Sequence, residues 1–337
     1  MRLGVVNFLN ALPLWDALRD REGVELVPAM PSELARLLRT GEIDAGLLPV
    51  IEYFRNPNTR LLAGPCVAAS SAVESVLLFH RKPIAEVKTL DLDANSRTSN
   101  ALTHVLLHDH WEVSPQIRLP EAPLRSLKEC EADAAVMIGD PAMIQKRYHA
   151  GWHCTDLALA WRELTGLPFV FAGWLVRNGV EAPAGIFEDA LEAGLTRRER
   201  YAEDFAARLS SKPIELTRYL SEVIRYQWGD DLLPAITEFG QRAAGLGLCP
   251  PRPIELVRYA VPSATDKLER LEFTFWTRVS YFVCAIGGLA IVIREVLAGL
   301  QAGEINVVST AAGLLAMGFS AVVYRRRVRQ VMPLLRE

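Results

Sequence analysis

Two amides, Asn7 and Asn10, interrupt the apolar run VVNFLNALPLW at residues 5–15. A carboxamide among apolar residues must find a hydrogen-bond partner in the protein or in a ligand. Asn10 can cap a helix that carries Pro13 in its first turn, or face a ligand from the end of a strand. A second polar cluster, NSRTSN at residues 95–100, puts the hydroxyls of Ser96, Thr98 and Ser99 just ahead of a helical stretch. It reads either as an ordinary cap and turn or as an anion cradle, since free N–H groups and the helix dipole favour a carboxylate or phosphate there. Gly139 and Asp140 end the apolar run AAVMI, at the kind of strand terminus where α/β proteins bind ligands; a helix cap ahead of Pro141 is the alternative. Ser75 interrupts VESVLLF, as packing polarity or as a ligand contact.

Other chemistry has less support. His104 and His108 lie four residues apart in HVLLHDH, with His110 beyond, and two imidazoles on one helix face can bind a metal. No second cluster of Cys, His or carboxylate completes such a site, so a solvated helix face is the preferred reading. P-loop, GxGxxG, GxSxG and HExxH patterns are absent, which removes the common nucleotide, hydride-transfer and hydrolase readings. The aromatic stretch WRELTGLPFVFAGW at residues 161–174 serves either as a hinge strand that fills the core or as a wall of a cleft.

The elements that must position these groups alternate short apolar strands with helical stretches through about the first 260 residues, the pattern of an α/β architecture. Strands are predicted at residues 2–6, 24–27, 43–47, 73–79, 116–119, 134–138 and 169–176. Helices are predicted at 11–19, 32–39, 100–110, 213–226 and 233–244. The strand at 73–79 and the one at 169–176 can each carry the chain between lobes. The expected organisation is one lobe from residues 1–82 and 173–262 and a second from 83–172, with a ligand held between them.

Beyond a charged connector at residues 263–273, two uncharged apolar runs, 279–293 and 305–324, suit a helical hairpin across a bilayer. Arg325, Arg326, Arg327 and Arg329 follow the second run, and Lys267, Arg270 and Arg278 precede the first. By the positive-inside rule both ends of a hairpin at 274–337 face the cytoplasm, and so does the large N-terminal portion. The start MRLGVVNFLN reads as a first strand, not as an export signal. Five cysteines without a CxxC spacing argue against a disulfide framework or a zinc site. A net charge of -3 without a basic, aromatic-interleaved stripe argues against nucleic acid as a partner.

Taken together, GVVNFLNALPL, the PSELARLL and GEIDAGLLPVIEY segments, SVLLF, NSRTS, AAVMIGDPAM and WRELTGLPFVFAGW resemble the chorismate dehydratase (MqnA) family of the futalosine route to menaquinone. The resemblance runs colinearly over about residues 1–260. It implies a two-lobed fold like that of periplasmic solute-binding proteins (type 2), chorismate as substrate, 3-[(1-carboxyvinyl)oxy]benzoate as product, and a hydro-lyase that needs neither metal nor redox cofactor. Asn10 matches the family asparagine implicated in catalysis. Ser75, Ser96, Thr98, Ser99 and Gly139 are then the expected substrate-binding residues, with the three cradle hydroxyls on a carboxylate. A carboxamide is a poor base near neutral pH. Asn10 is therefore expected to orient substrate and bond the leaving hydroxyl or a carboxylate, and the base is the substrate's own enolpyruvyl carboxylate or, alternatively, Asp140. Where many relatives have two serines, this chain has Pro49 and Val50, and the membrane hairpin lies outside the family pattern. A membrane-tethered binding or sensor protein and the sister 1,4-dihydroxy-6-naphthoate synthase are the rival readings; the sequence leaves the oligomeric state open.

Overall fold

A computed structural model describes residues 1–148, 151–181 and 185–257. Eleven strands are described: β1 (Arg2–Val5), β2 (Glu25–Pro28), β3 (Ala45–Pro49), β4 (Thr59–Ala69), β5 (Val76–His80), β6 (Thr89–Asp91), β7 (Gln116–Arg118), β8 (Ala134–Ile138), β9 (His153–Asp156), β10 (Phe169–Arg177) and β11 (Leu256–Val257). They form two sheets, in the orders β11-β4-β10-β3-β1-β2 and β7-β6-β8-β5-β9. The unbroken apolar runs of β3 and β5 are buried along their whole length, as expected for strands covered on both faces. Within the first sheet, β1 pairs parallel with β2 and β3, while β10 runs antiparallel to β3 and β4. In the second sheet β5 runs antiparallel to β8 and β9.

Each sheet with its helices makes one lobe of a single unit, and the chain passes between them twice. The expected lobe limits shift. All five residues of β5 pair within the second sheet, so the first crossing falls at residues 70–75 and not after residue 82. Phe169 already pairs with Ala69 in the first sheet, which puts the return ahead of residue 169 and not at 172. The apolar runs locate the strands, but only the pairing partners determine which lobe owns them. Asp156 ties the two crossings together. Its carboxylate accepts N–H bonds from Val73 and Glu74 on the outward crossing, and from Ala158 and Leu159 at the start of the return helix Leu157–Thr165.

Three segments depart from the pattern. The longest strand, β4, escapes prediction because Gly64 and Pro65 interrupt it, residues that normally mark a bulge or an edge. Its register against β10 shifts between Gly173 and Leu175, where residues 62–65 bulge out. The expected helix at 11–19 is broken into a 3-10 turn, Leu9–Ala11, one α turn, Leu12–Trp15, and a second 3-10 turn, Asp16–Leu18. The expected helix at 213–226 is regular only over Pro213–Arg218, then widens into a π turn, Tyr219–Val223, after which Arg225 pairs with Ala68 of β4. Such π turns commonly mark functional positions. The aromatic stretch mostly fills the core. Trp161 packs edge-on against Phe169 and Phe239, and Trp174 stacks on Phe187 at 4.1 Å. The expected connector and membrane hairpin lie outside the described residues; among the described residues no helix is long and apolar enough to cross a membrane.

Candidate active site

The two lobes enclose a cavity of about 640 Å³, open mouth included. The first lobe supplies Asn10 and the segment around it, the end of β3, and Val67 and Phe171 from β4 and β10. The second lobe supplies Val76, the turn at residues 95–99, Ile138 and Gly139. Most of the surface is apolar, with its polar groups in two clusters, a proportion usual for small-molecule sites.

One cluster surrounds Asn10. Its amide nitrogen donates to the Tyr219 hydroxyl at 3.2 Å, Tyr219 donates to Ser75 Oγ at 2.8 Å, and Ser75 donates to the Val73 carbonyl at 3.4 Å. The chain of bonds ends on a backbone carbonyl that can only accept, so each hydroxyl passes its proton the same way. Asn10 must then offer N–H to Tyr219, which leaves its carbonyl oxygen and one N–H for the cavity it lines. Tyr219 is fully enclosed, and burial pushes its phenol well above the ordinary tyrosine range, so it stays a neutral donor. Ser75 is wholly buried and does not line the cavity, so it acts through Tyr219 and not on a ligand. Its carbonyl also accepts the Gly139 N–H at 2.7 Å. Gly139 has φ +62, and a Cβ there would come within 3.1 Å of the Phe8 ring, so any other residue would be strained at this position.

The second cluster is the cradle at residues 95–99, where Ser96, Thr98 and Ser99 line the cavity. Asp93 and Asn100 shape it. The Asp93 carboxylate accepts the Asn95 N–H, while the Asn100 amide donates to the Asp93 and Ser96 carbonyls at 2.8 and 2.7 Å. The helix Thr98–Asp109 therefore starts with its N-terminus at the cavity, the favourable end for an anion. Thr98 is partly committed, because its hydroxyl accepts the Ile51 N–H from the first lobe at 3.2 Å. Arg97 also lines the cavity, and it is the lining residue with an ionisable side chain. Its Nε donates to Glu52, a carboxylate 2% exposed that also neighbours Arg55 at 3.2 Å and Arg39 at 4.0 Å.

Asp140 does not line the cavity. One carboxylate oxygen accepts the Leu9 N–H across the lobes at 3.3 Å, and the other lies 3.0 Å from the Arg208 guanidinium. Burial pushes this carboxyl up, against the pull of Leu9 and Arg208. Asp93 and Asp156 are raised by burial too, and both spend their oxygens on backbone N–H groups. All three carry the raised pKa of a candidate base, yet each is a brace for a turn. The imidazoles of HVLLHDH are not gathered either: His108 bonds Asp109 at 2.5 Å and His110 lies 3.6 Å from Glu163. The sequence reading passed over Tyr219, which enters from a distant π turn, and Arg97, which stood inside the quoted motif; a cation flanked by hydroxyls was the available signal.

The profile of the family described as Menaquinone biosynthesis matches residues 1–245. The chain belongs to that family. It is 32% identical over 237 residues to the chorismate dehydratase of Thermus thermophilus, covering 65% of this chain and 86% of that one. The corresponding figures for the chorismate dehydratase of Campylobacter jejuni are 31% over 179 residues, 51% and 66%. Among solved structures, a protein from Archaeoglobus fulgidus superposes with a TM-score of 0.57 at 16% identity, covering 73% of this chain and 97% of that one. The alkanesulfonate-binding protein SsuA from Xanthomonas axonopodis pv. citri, bound to MOPS, superposes with a TM-score of 0.55 at 17% identity, covering 77% and 98%. At such identities these likenesses support the fold alone, and they establish the two-lobed, binding-protein-like α/β architecture.

Proposed function

We infer that this member of the menaquinone-biosynthesis family is a chorismate dehydratase, a hydro-lyase that converts chorismate to 3-[(1-carboxyvinyl)oxy]benzoate and water. Family membership supports the reaction, and one observation supports how it runs. Among the described lining residues there are two amides, Asn10 and Asn95, there are hydroxyls and there is an arginine, but no side chain that can accept a proton near neutral pH. A site so furnished suits a substrate that brings its own base.

In the elimination, the proton leaves the ring carbon that bears the enolpyruvyl ether and goes to the enolpyruvyl carboxylate. The C–H electron pair forms the new ring double bond as the neighbouring C–O bond breaks, and the departing hydroxide takes the proton back from the enolpyruvyl carboxyl to leave as water, which restores the carboxylate. Aromatisation supplies the driving force. The protein's part is to hold the dianion and stabilise the departing oxygen. Asn10, oriented by Tyr219 and Ser75, has one N–H left for that oxygen. Ser96, Ser99 and the start of the helix Thr98–Asp109 take a carboxylate. Asp140 fits a positioning role, since it anchors the turn Leu9–Ala11 that carries Asn10.

Purified full-length chain incubated with chorismate should yield the aromatic enol ether, seen by mass spectrometry as loss of one water. Tight binding without turnover would leave a binding or sensor protein in its place. The apolar runs at 279–293 and 305–324, with their flanking arginines, support a further proposal: a hairpin over residues 274–337 anchors a cytoplasmic catalytic unit to the membrane. Full-length protein should then sediment with membranes and a chain ending at residue 273 should not; equal solubility of the two would refute it.

A further inference from the structure

We propose that Arg97 binds the ring carboxylate of chorismate and leaves the enolpyruvyl carboxylate unpaired in the apolar half of the cavity. The proposal rests on the dehydratase reading and adds to it the orientation of the substrate. Three observations carry it.

Arg97 is tied to Glu52 through Nε, which leaves the two terminal nitrogens for another partner. Neither Nη group has a hydrogen-bond partner among the described residues, so a residue that lines the cavity holds an unused fork that can take a carboxylate in two parallel bonds. Glu52 belongs to the first lobe, in the helix Ile51–Arg55, and Arg97 to the second, so the tie fixes the aim of the fork across the cleft. Glu52 does not cancel the charge, because Arg39 and Arg55 share it and its second oxygen accepts no hydrogen bond. The cradle cluster is cationic overall and flanked by the Ser96 and Ser99 hydroxyls. The remaining surface, built from Val6, Leu47, Val67, Val76, Ile138 and Phe171, carries no charge.

The chemistry then assigns the two carboxylates. A carboxylate gripped by a guanidinium is a weakened base, whereas one desolvated among apolar side chains is a strengthened base. The elimination needs one carboxylate as a handle and the other as a proton acceptor. If Arg97 held the enolpyruvyl group, the group that must take the proton would be disarmed. With the ring carboxylate on Arg97, the enolpyruvyl arm lies against the apolar wall beside its own ring C–H, and the hydroxyl-bearing carbon is left for Asn10.

Calorimetric binding of three probes to the full-length protein tests this: the product; its analogue with the ring carboxylate converted to an amide; and 3-isopropoxybenzoate, which lacks the enolpyruvyl carboxylate. For Arg97→Met the expected result is about 10- to 100-fold weaker binding of the product and of 3-isopropoxybenzoate, the range for a charged hydrogen-bonded contact, and a change below about threefold for the ring amide. Arg97→Lys should restore part of the loss, and Arg36→Met, which removes the same charge from an exposed pair with Glu33 and Glu42 outside the cavity, should change every probe by less than about threefold. Unaltered protein supplies a measurement that needs no variant: the ring amide should bind more weakly than 3-isopropoxybenzoate. Equal losses for the product and the ring amide, indifference of 3-isopropoxybenzoate to Arg97→Met, or a reversed order in the unaltered protein would each overturn the assignment. Turnover of chorismate by the same preparation is scored separately. Its absence refutes the dehydratase reading, while the probe pattern decides the role of Arg97.

Discussion

The two polar clusters of the cleft fasten the lobes in different ways. At the Asn10 cluster the second lobe reaches over with a carboxylate, Asp140, to take the Leu9 N–H of the first; at the cradle it reaches over with a neutral hydroxyl, Thr98, to take the Ile51 N–H. Each contact satisfies a donor at the start of a helical turn that would otherwise be orphaned. The charge is consumed in the first case. Asp140 is committed to Leu9 and Arg208, and what faces the cavity is a neutral amide. In the second case a hydroxyl does the capping, and the neighbouring arginine keeps its fork free. The cavity therefore carries two unlike polar clusters, on the proposed reading a neutral hydrogen-bonding one for the bond that breaks and a cationic one for the group that is held.

This contrast is most sharply broken at Asn10. Asn10→Ala should lower kcat by about 10²- to 10³-fold, the range for a deleted transition-state donor, with a much smaller change in KM. Asn10→Asp should lower kcat at least as far and raise KM too, since it sets a negative charge beside a dianion. The paired change Ser96→Ala with Ser99→Ala should do the reverse, raising KM by about tenfold or more while kcat falls less; steady-state kinetics on chorismate separates the two patterns. Tyr219→Phe removes the hydroxyl that orients Asn10 and should cost about tenfold in kcat and about 1–3 kcal/mol of stability, read by urea titration.

Asp140→Asn distinguishes a brace from a base. A brace predicts that kcat falls by less than about tenfold and that kcat stays flat between about pH 6 and 9 in both proteins; a base predicts near-complete loss, because general-base catalysis contributes 10²- to 10⁴-fold. Stability responds with a definite sign. Burial raises the Asp140 carboxyl in the folded state, so the native protein holds that proton more tightly than the unfolded chain does. The associated stability is fully present below the unfolded value, about 3.9, and is lost as pH rises through the raised one. Asp140→Asn should flatten this decline in urea titrations above about pH 4. Asp16 has the opposite sign. Burial pushes it up, but bonds from Arg19, Tyr201 and Arg197 hold it below the usual range, so its contribution is present above the unfolded value and lost on acidification.

What could be read from the sequence followed the range of the forces involved. Apolar runs such as AAVMI and VLLFH announce strands locally, and the cradle at residues 95–99 announces itself because its hydroxyls and the helix they precede are adjacent. Strand β4 was hidden by Gly64 and Pro65, whose effect on the ladder depends on a bulge against a strand far along the chain. Tyr219 was hidden because it meets Asn10 across 209 positions of sequence. Ser75 and Asp140 were found in the right neighbourhood for a different duty: residue type and strand position place them near the cleft, but only their partners show that both support it from behind.

The Asp156 carboxylate gathers N–H groups from both chain crossings into one knot. A pair of lobes joined by two independent straps could shear or twist; lobes whose straps share a single pin are left with something closer to one axis of swing. Under the proposed reaction, that restriction favours a single closed arrangement of Asn10 and Arg97 about the substrate.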